Sequence, residues 1–494
     1  PEAKLRETLE AAVKSQRKYL ILKNELPETA AAELSRRLTD EKLRGIAFEQ
    51  DSRRFYPNGM ALCHVLGLTN RQHDGIQGVE AAMNRYLRGE DGFRRIERDR
   101  TGKELVPYRG EGRAARDGYH VRLTVDMGLQ SILENELDRA FKDNRPQTAV
   151  GILMEPQTGR ILAMSNRPSF DPNAGSAEEL PERMKNCAIM NLVEPGSTFK
   201  IVTAAAALND GKVNLDTMIK CEGGRFNYAG KVLHDHGHGD HPDMTVSDVL
   251  AKSSNIGLAK MAMMLGEQRF YEYIRSFGFG ERTGVNLPGE IAGIVRPPHT
   301  WSKISITRIP MGQGVAVTPL QMITAMCAVA NGGQLMMPQI VDRVVDRDGN
   351  AIVTFPPCPV RQVVDAETTE KLKIALQEVV SKRGTAVLAS VPGFTVAGKT
   401  GTAEKPNPRG GYYEGKYVTS FIGFMPVENP RFACLIMLDD PKGSAESLYG
   451  GTLAAPVFAK IGERAARYLN MQPDPNLLPP ASAPETPRLT RNDP

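Results

Sequence analysis

The sequence predicts an α+β fold, an antiparallel sheet covered by helices, behind a more polar N-terminal region. Three observations carry this. The 494 residues exceed what one ordinary core holds, so at least two domains are expected. The texture changes near Tyr119, where charge-rich sequence gives way to patterned apolar runs. After that point strand-like pairs lie early and late, with helix-like segments mostly between them, which suits a sheet packed under helices. The expected domains are residues 1–116, 117–470 and a Pro-rich tail, 471–494.

The elements follow in order. Glu7 to Tyr19 and Glu28 to Leu43 carry apolar residues at three- and four-residue spacing and read as helices. Ser52 to Gly59 is rich in turn formers, and Ala61 to Leu68 is an apolar helix or strand. Residues 93 to 116 are dense in charge and Gly and read as exposed strands, turns and a linker. Val121 to Val125 alternates as a strand does. Asp126 is placed to cap a helix from Leu129 to Phe141. Thr148 to Met154 and Arg160 to Met164 form a hairpin turned by Glu155-Pro156-Gln157-Thr158-Gly159. Late in the chain, Phe394 to Gly398, Tyr417 to Phe424 and Arg431 to Leu438 read as strands, and Ala455 to Leu469 as a helix. From Gln472 the prolines predict disorder.

Composition excludes several classes. The chain is 41% apolar and 24% charged, with a formal net charge of +4. That balance is globular, and no Lys/Arg run interleaved with aromatics points to nucleic acid. No stretch reaches the roughly eighteen apolar residues of a membrane span. The chain opens on Pro1-Glu2-Ala3-Lys4 without a Met or an apolar leader, as expected of a cut or processed product. The six cysteines are scattered without a CxxC pair and read as small buried hydrophobes rather than a disulfide framework.

Three short motifs could carry chemistry. Pro195 and Gly196 break the chain before the helix-like run Ile201 to Leu208, so Ser197 sits at a helix start. Unpaired N–H groups and the helix dipole there favour developing negative charge. Lys200 is one turn on, and a Lys with a lowered pKa can take a Ser proton. Alone, Ser197 reads as an ordinary cap. Ser253-Ser254-Asn255 offers a hydroxyl and an amide between two helix-like runs, and alone reads as a turn. Lys399-Thr400-Gly401-Thr402 follows the strand ending at Gly398. Its glycines let a substrate backbone approach, and alone it reads as an exposed strand end.

Together, in this order, the three match the Ser-x-x-Lys, Ser-x-Asn and Lys-Thr-Gly set of penicillin-binding proteins and serine β-lactamases. The sequence resembles the class B penicillin-binding proteins, and within them the division-specific (septal) branch. Other segments extend the resemblance over nearly the whole chain: Asp126 to Gln130, Glu155 to Met164, Gly312-Gln313-Gly314 with Thr318 to Gln321, and Tyr449-Gly450-Gly451 with Ala455 to Phe458. Arg53 to Pro57, His64 to Gly67 and Gly78-Val79-Glu80 resemble the family's N-terminal pedestal. Ser253 to Gly257 with Lys260 to Ala262 resembles the septal form, because no aromatic residues follow Asn255. The family's membrane anchor and the Arg-Gly motif that opens its pedestal are missing, and Gln313 stands where many members have Tyr.

The resemblance implies a penicillin-binding-type transpeptidase domain on a non-catalytic pedestal. It implies a serine D,D-transpeptidase that cross-links peptidoglycan stem peptides and is acylated by β-lactam antibiotics. Ser197 is the implied nucleophile and Lys200 its base. Ser253 relays a proton, Asn255 holds donor peptide and Lys200, and Lys399, Thr400, Gly401 and Thr402 receive the terminal carboxylate. Backbone N–H groups of Ser197 and Thr402 form the implied oxyanion hole. No cofactor, metal or nucleic acid is expected. The implied partners are a membrane glycosyltransferase and other division proteins. The implied location is the outer face of the cytoplasmic membrane, held by a single-pass anchor outside this chain. Rival readings are a carboxypeptidase or β-lactamase, an elongation- or sporulation-type transpeptidase, a penicillin-sensing receptor domain, and an inactive scaffold.

His234, His236, His238 and His241 alternate with Asp235, Gly237, Gly239 and Asp240. Their spacing is not that of an established zinc motif, and the glycines favour a solvated loop beside the site.

Overall fold

The computed structural model describes residues 2–478 apart from residues 18, 25, 44, 50, 98, 101–104, 106–111, 175–180, 236–241 and 444–447. The histidine loop beyond Asp235 and the last part of the Pro-rich tail therefore lie outside the described residues.

The chain divides into two compact units after Pro57. The first holds two helices, α1 (Glu2–Lys14) and α2 (Glu28–Asp40), close to the expected pair. The expected boundary at 116 falls inside the second unit. The physical reason is packing: Leu62, Val65, Val79 and Met83 share one apolar core with Leu129 and Leu133.

The second unit is built on a five-stranded antiparallel sheet. Helix α3 (Met127–Asn144) leads into β1 (Thr148–Met154) and β2 (Ile161–Arg167). As expected, Asp126 caps α3, accepting from Gly128 and Leu129 N–H at 2.8 and 3.0 Å. Then come α4 (Lys200–Asn209), the hairpin β3 (Arg225–Tyr228) and β4 (Lys231–His234), α5 (Val246–Ala251), α6 (Asn255–Leu265), α7 (Pro319–Ala330) and α8 (Ala366–Val380). The chain returns to the sheet through β5 (Ala397–Pro406), β6 (Tyr412–Met425) and β7 (Phe432–Asp439), and closes on α9 (Ala455–Tyr468).

Strand order across the sheet is β5-β6-β7-β1-β2. The late strands thus complete the early hairpin, with Leu435 opposite Ile152 and Leu438 opposite Ala149. β7 and β1 are buried along nearly their whole length, so they read as continuous apolar runs rather than alternating ones. Helices α3 and α9 pack together beside the sheet, and α4 and α7, mostly apolar and buried on nearly every side, lie within the core.

Two expectations are corrected, and a third holds in part: Val121 to Val125 begins as a strand, but outside the main sheet. Its described strand, His120–Leu123, pairs instead with Val341–Val345 in a separate small sheet. The strand expected at Phe394 to Gly398 begins only at Ala397. The tail does not lose structure at Gln472. Asp474 N–H donates to Gly393 O at 2.8 Å and Gly393 N–H to Leu477 O at 3.1 Å, around a short turn at Pro475–Leu477. Gly393, at φ +81°, admits this contact, since a Cβ there would lie 2.5 Å from Pro473 Cβ. Of the cysteines, five are buried as expected and Cys358 is exposed.

Candidate active site

The first motif sits on a tight turn. Gly196–Phe199 is a single 3-10 turn that runs directly into α4. Gly196 is needed twice over. Its φ of +54° is one a side chain resists, and a Cβ there would stand 3.0 Å from Ala403 Cβ and 3.3 Å from Thr402 O. Gly312, at φ +83°, fits against it from the other side, where a Cβ would lie 2.3 Å from Gly196 O. Ser197 is thereby pressed against strand β5. It stays partly exposed, and among the described residues its hydroxyl has no hydrogen-bond partner.

Lys200 opens α4, one turn beyond Ser197, and is wholly buried. Its Nζ lies 2.5 Å from Ser253 O, 3.0 Å from Ser253 Oγ and 2.7 Å from Asn255 Oδ1. Burial, and then the charge of Lys399, push its pKa well below the ordinary lysine value, while Asp235 acts in the opposite direction. A buried amine so placed is poised to be neutral and to accept a proton.

The second motif is the turn between α5 and α6. Ser253 has φ +60°, in the left-handed region that only a held residue keeps. Ser254 caps α6, accepting from Gly257 N–H at 3.0 Å.

The third motif lies inside β5 rather than beyond a strand end. β5 is an edge strand, bonded to β6 along one side. That leaves its other edge open for an extended peptide to pair with. Lys399 is wholly buried and reaches across to Ser253 Oγ at 3.0 Å. Burial lowers its pKa to about 7. Thr400 Oγ1 is 2.9 Å from Thr385 Oγ1, and Thr402 Oγ1 accepts from Gly450 N–H at 3.1 Å. Gly401 permits the close seat of β5 on the nucleophile turn. A Cβ there would meet Ser420 Oγ at 2.4 Å and Thr198 Cγ2 at 2.9 Å.

All eight expected site residues therefore gather at one place, where β5 meets the start of α4 and the turn before α6. Two further residues were not foreseen. Asp235 is 8% exposed, not part of a solvated loop, and its carboxylate accepts from Ser254 Oγ at 2.7 Å and from Asn255 and Ile256 N–H at 2.5 and 3.0 Å. Its place in a histidine- and glycine-rich run hid it. Glu194, just ahead of the nucleophile turn, accepts from Gly314 N–H at 2.8 Å and Tyr412 Oη at 3.0 Å. No cluster of His, Cys, Asp and Glu able to hold a metal occurs among the described residues.

Comparison with known proteins places the chain in a family. Residues 149–463 match the family described as penicillin binding protein transpeptidase domain, and residues 1–123 match a penicillin-binding protein dimerisation domain. Stage V sporulation protein D of Bacillus subtilis is 36% identical over 437 residues, covering 88% of this chain and 67% of that protein. Peptidoglycan D,D-transpeptidase FtsI of Escherichia coli is 32% identical over 433 residues, covering 88% of this chain and 70% of its own. Among solved structures, apo penicillin binding protein 3 of Mycobacterium tuberculosis superposes with a TM-score of 0.77 at 32% identity, over 87% of this chain and 94% of that one. The same protein complexed with aztreonam gives 0.77 over 87% and 93%.

Proposed function

The chain belongs to the penicillin-binding protein transpeptidase family, class B, and from that premise we propose how its residues carry out the reaction. It is a peptidoglycan D,D-transpeptidase. The observation that carries the residue assignment is the meeting of Lys200 and Lys399 at Ser253 Oγ, with Asn255 bonded to Lys200, one helical turn beyond the partly exposed Ser197.

In the first step neutral Lys200 takes the proton of Ser197 Oγ, and the oxygen attacks the carbonyl carbon of the penultimate D-Ala of a stem peptide. Negative charge then develops on the carbonyl oxygen. The backbone N–H groups of Ser197 and Thr402 receive it, and losing one such donor typically costs about 3–4 kcal/mol. The C–N bond breaks. The proton passes through Ser253 Oγ to the departing nitrogen, and D-Ala leaves. Asn255 keeps Lys200 and the donor peptide in line. Lys399, Thr400 and Thr402 receive the terminal carboxylate, and Gly401 lets the donor backbone lie close along β5. In the second step an amine of a neighbouring stem attacks the ester carbon, gives up a proton, and restores Ser197. A β-lactam follows the first step, but its ring opens without a fragment departing, so Ser197 stays acylated. The solved relative complexed with aztreonam supports β-lactam binding at this kind of site.

We place the activity in septal wall synthesis, on the residue pattern Ser253 to Gly257 with Lys260. The same reading gives the chain a membrane glycosyltransferase and other division proteins as partners. It puts the active site outside the cytoplasmic membrane, with residues 1–116 as pedestal, 117–470 as catalytic domain and 471–494 as tail. Sporulation is the second reading, favoured by the relative at 36% identity that carries that name. Two experiments test these. Supplied with polymerised, stem-bearing glycan, the protein should form cross-linked dimers. Release of D-Ala without cross-links would reassign it as a carboxypeptidase. Depletion in the source cell should give filaments. Normal division with failed spores would select the second reading.

A further inference from the structure

We infer that Asp235 is a positioning residue of this site, its carboxylate clamping the turn that carries Ser253 and Asn255 so that both face Lys200. The inference rests on the transpeptidase reading above.

The first N–H groups of any helix lack partners within it. In α6 those of Asn255 and Ile256 both donate to Asp235 Oδ1, at 2.5 and 3.0 Å. Oδ2 accepts from Ser254 Oγ at 2.7 Å. One carboxylate, distant in sequence, thus holds three consecutive residues of the turn. Ser254 remains the local cap, and Asp235 supplies the bonds that Ser254 cannot.

The residue before Asp235 completes the clamp. Asn255 Nδ2 donates to His234 O at 2.9 Å. A carbonyl oxygen can only accept, so it fixes which end of the Asn255 amide it meets. The amide oxygen is left facing Lys200 Nζ, at 2.7 Å. Ser253, at φ +60°, is pulled from the other side, its carbonyl and hydroxyl both bonded to Lys200. A residue in that region persists only where its surroundings determine it.

The clamp is itself anchored. Asp235 N–H donates to Gly224 O at 3.1 Å, and Arg308 Nη2 to Val232 O at 3.1 Å, so the end of β4 is tied to two separate parts of the fold. Asp235 also faces Lys200 electrostatically, offsetting part of the repulsion from Lys399.

Kinetics of covalent acylation by a fluorescent penicillin test this, with the non-covalent binding constant and the acylation rate constant separated, alongside melting curves. Asp235→Ala should slow the acylation step by about 100-fold or more, the scale of a small misplacement, while non-covalent binding changes little. Asp235→Asn should restore the rate to within about tenfold, because its amide oxygen still accepts both backbone N–H groups. Should Asp235→Ala not fold, Asp235→Glu serves, since one added methylene displaces the turn and should slow acylation in a folded protein. A folded Asp235→Ala, or Asp235→Glu, that acylates at the wild-type rate overturns the inference. So does an Asp235→Asn as slow as Asp235→Ala with native melting, which would make the charge rather than the clamp decisive. If the wild-type protein takes no label, the transpeptidase reading fails first, a result distinct from each of these.

Discussion

The side-chain nitrogens of Lys200 and Lys399 converge on one hydroxyl, each 3.0 Å from Oγ of Ser253. One comes from the helix that follows the nucleophile turn, the other from the edge strand of the sheet. Two buried lysines around one hydroxyl repel each other, and that repulsion adds to burial in lowering the pKa of Lys200. With Lys200 neutral, its two N–H groups serve Ser253 O and Asn255 Oδ1, and the Ser253 hydroxyl donates to its lone pair while accepting from Lys399. Base, relay and carboxylate receptor are thus coupled through a single oxygen.

Removing the base should stop acylation without unfolding the chain. Lys200→Met keeps a linear side chain in the same buried channel. Acylation by fluorescent penicillin should fall by about 100- to 10,000-fold, the usual weight of a positioned general base. Circular dichroism and stopped-flow labelling check the two halves of this expectation.

Lys399 gives stability an unusual pH dependence. Its pKa is about 7 in the fold, against about 10.4 for a free lysine. Below about 7 both states are protonated, and the full cost of a buried ammonium is present. Between the two values the unfolded chain binds more protons, so its contribution makes the fold more stable as pH rises. Lys399→Met should raise the melting temperature at pH 6 by several degrees. It should also flatten its rise from pH 7 to pH 10, and weaken binding of β-lactams through their carboxylate. Calorimetry across that pH range reads the first two effects.

Gly401 sets the distance between β5 and the nucleophile turn. In Gly401→Ala the added Cβ would press on Ser420 Oγ and Thr198 Cγ2. The strand must shift, at a cost of about 1–3 kcal/mol. Acylation should slow by about 100-fold. Urea denaturation and labelling kinetics check both.

Glu194 joins the nucleophile turn to the start of β6 through Tyr412. Tyr412→Phe removes one exposed hydrogen bond and should cost about 1 kcal/mol or less. Amide exchange should quicken around residues 406–415, while acylation of Ser197 stays within a few-fold of wild type.

Much of this site is legible in the sequence, for physical reasons. Pro195-Gly196 before an unbroken apolar run marks a helix start, and the order of the three motifs selects one chemistry. The strands β1 and β7 announce themselves because buried strands are continuous apolar runs. What stays hidden is long-range pairing. Nothing local in Lys399 says that it crosses to Ser253, or that Asp235 turns inward from a histidine-rich run to bond α6. The charge-rich segment near 116 interrupts the sequence pattern, and nothing local there shows that residues 62 to 83 already pack into the core that Leu129 and Leu133 share. β5 starts late for a similar reason. Val391 and Phe394 pair locally with each other before the strand begins.

The central claim is that Ser197 carries the acyl group. Incubation of the whole chain with a β-lactam, then proteolysis and peptide-mapping mass spectrometry, tests it most directly. One adduct per chain is expected, on the peptide bearing Ser197, and none in Ser197→Ala. A stoichiometric adduct on Ser253 or any other residue, or an undiminished adduct in Ser197→Ala, would contradict it.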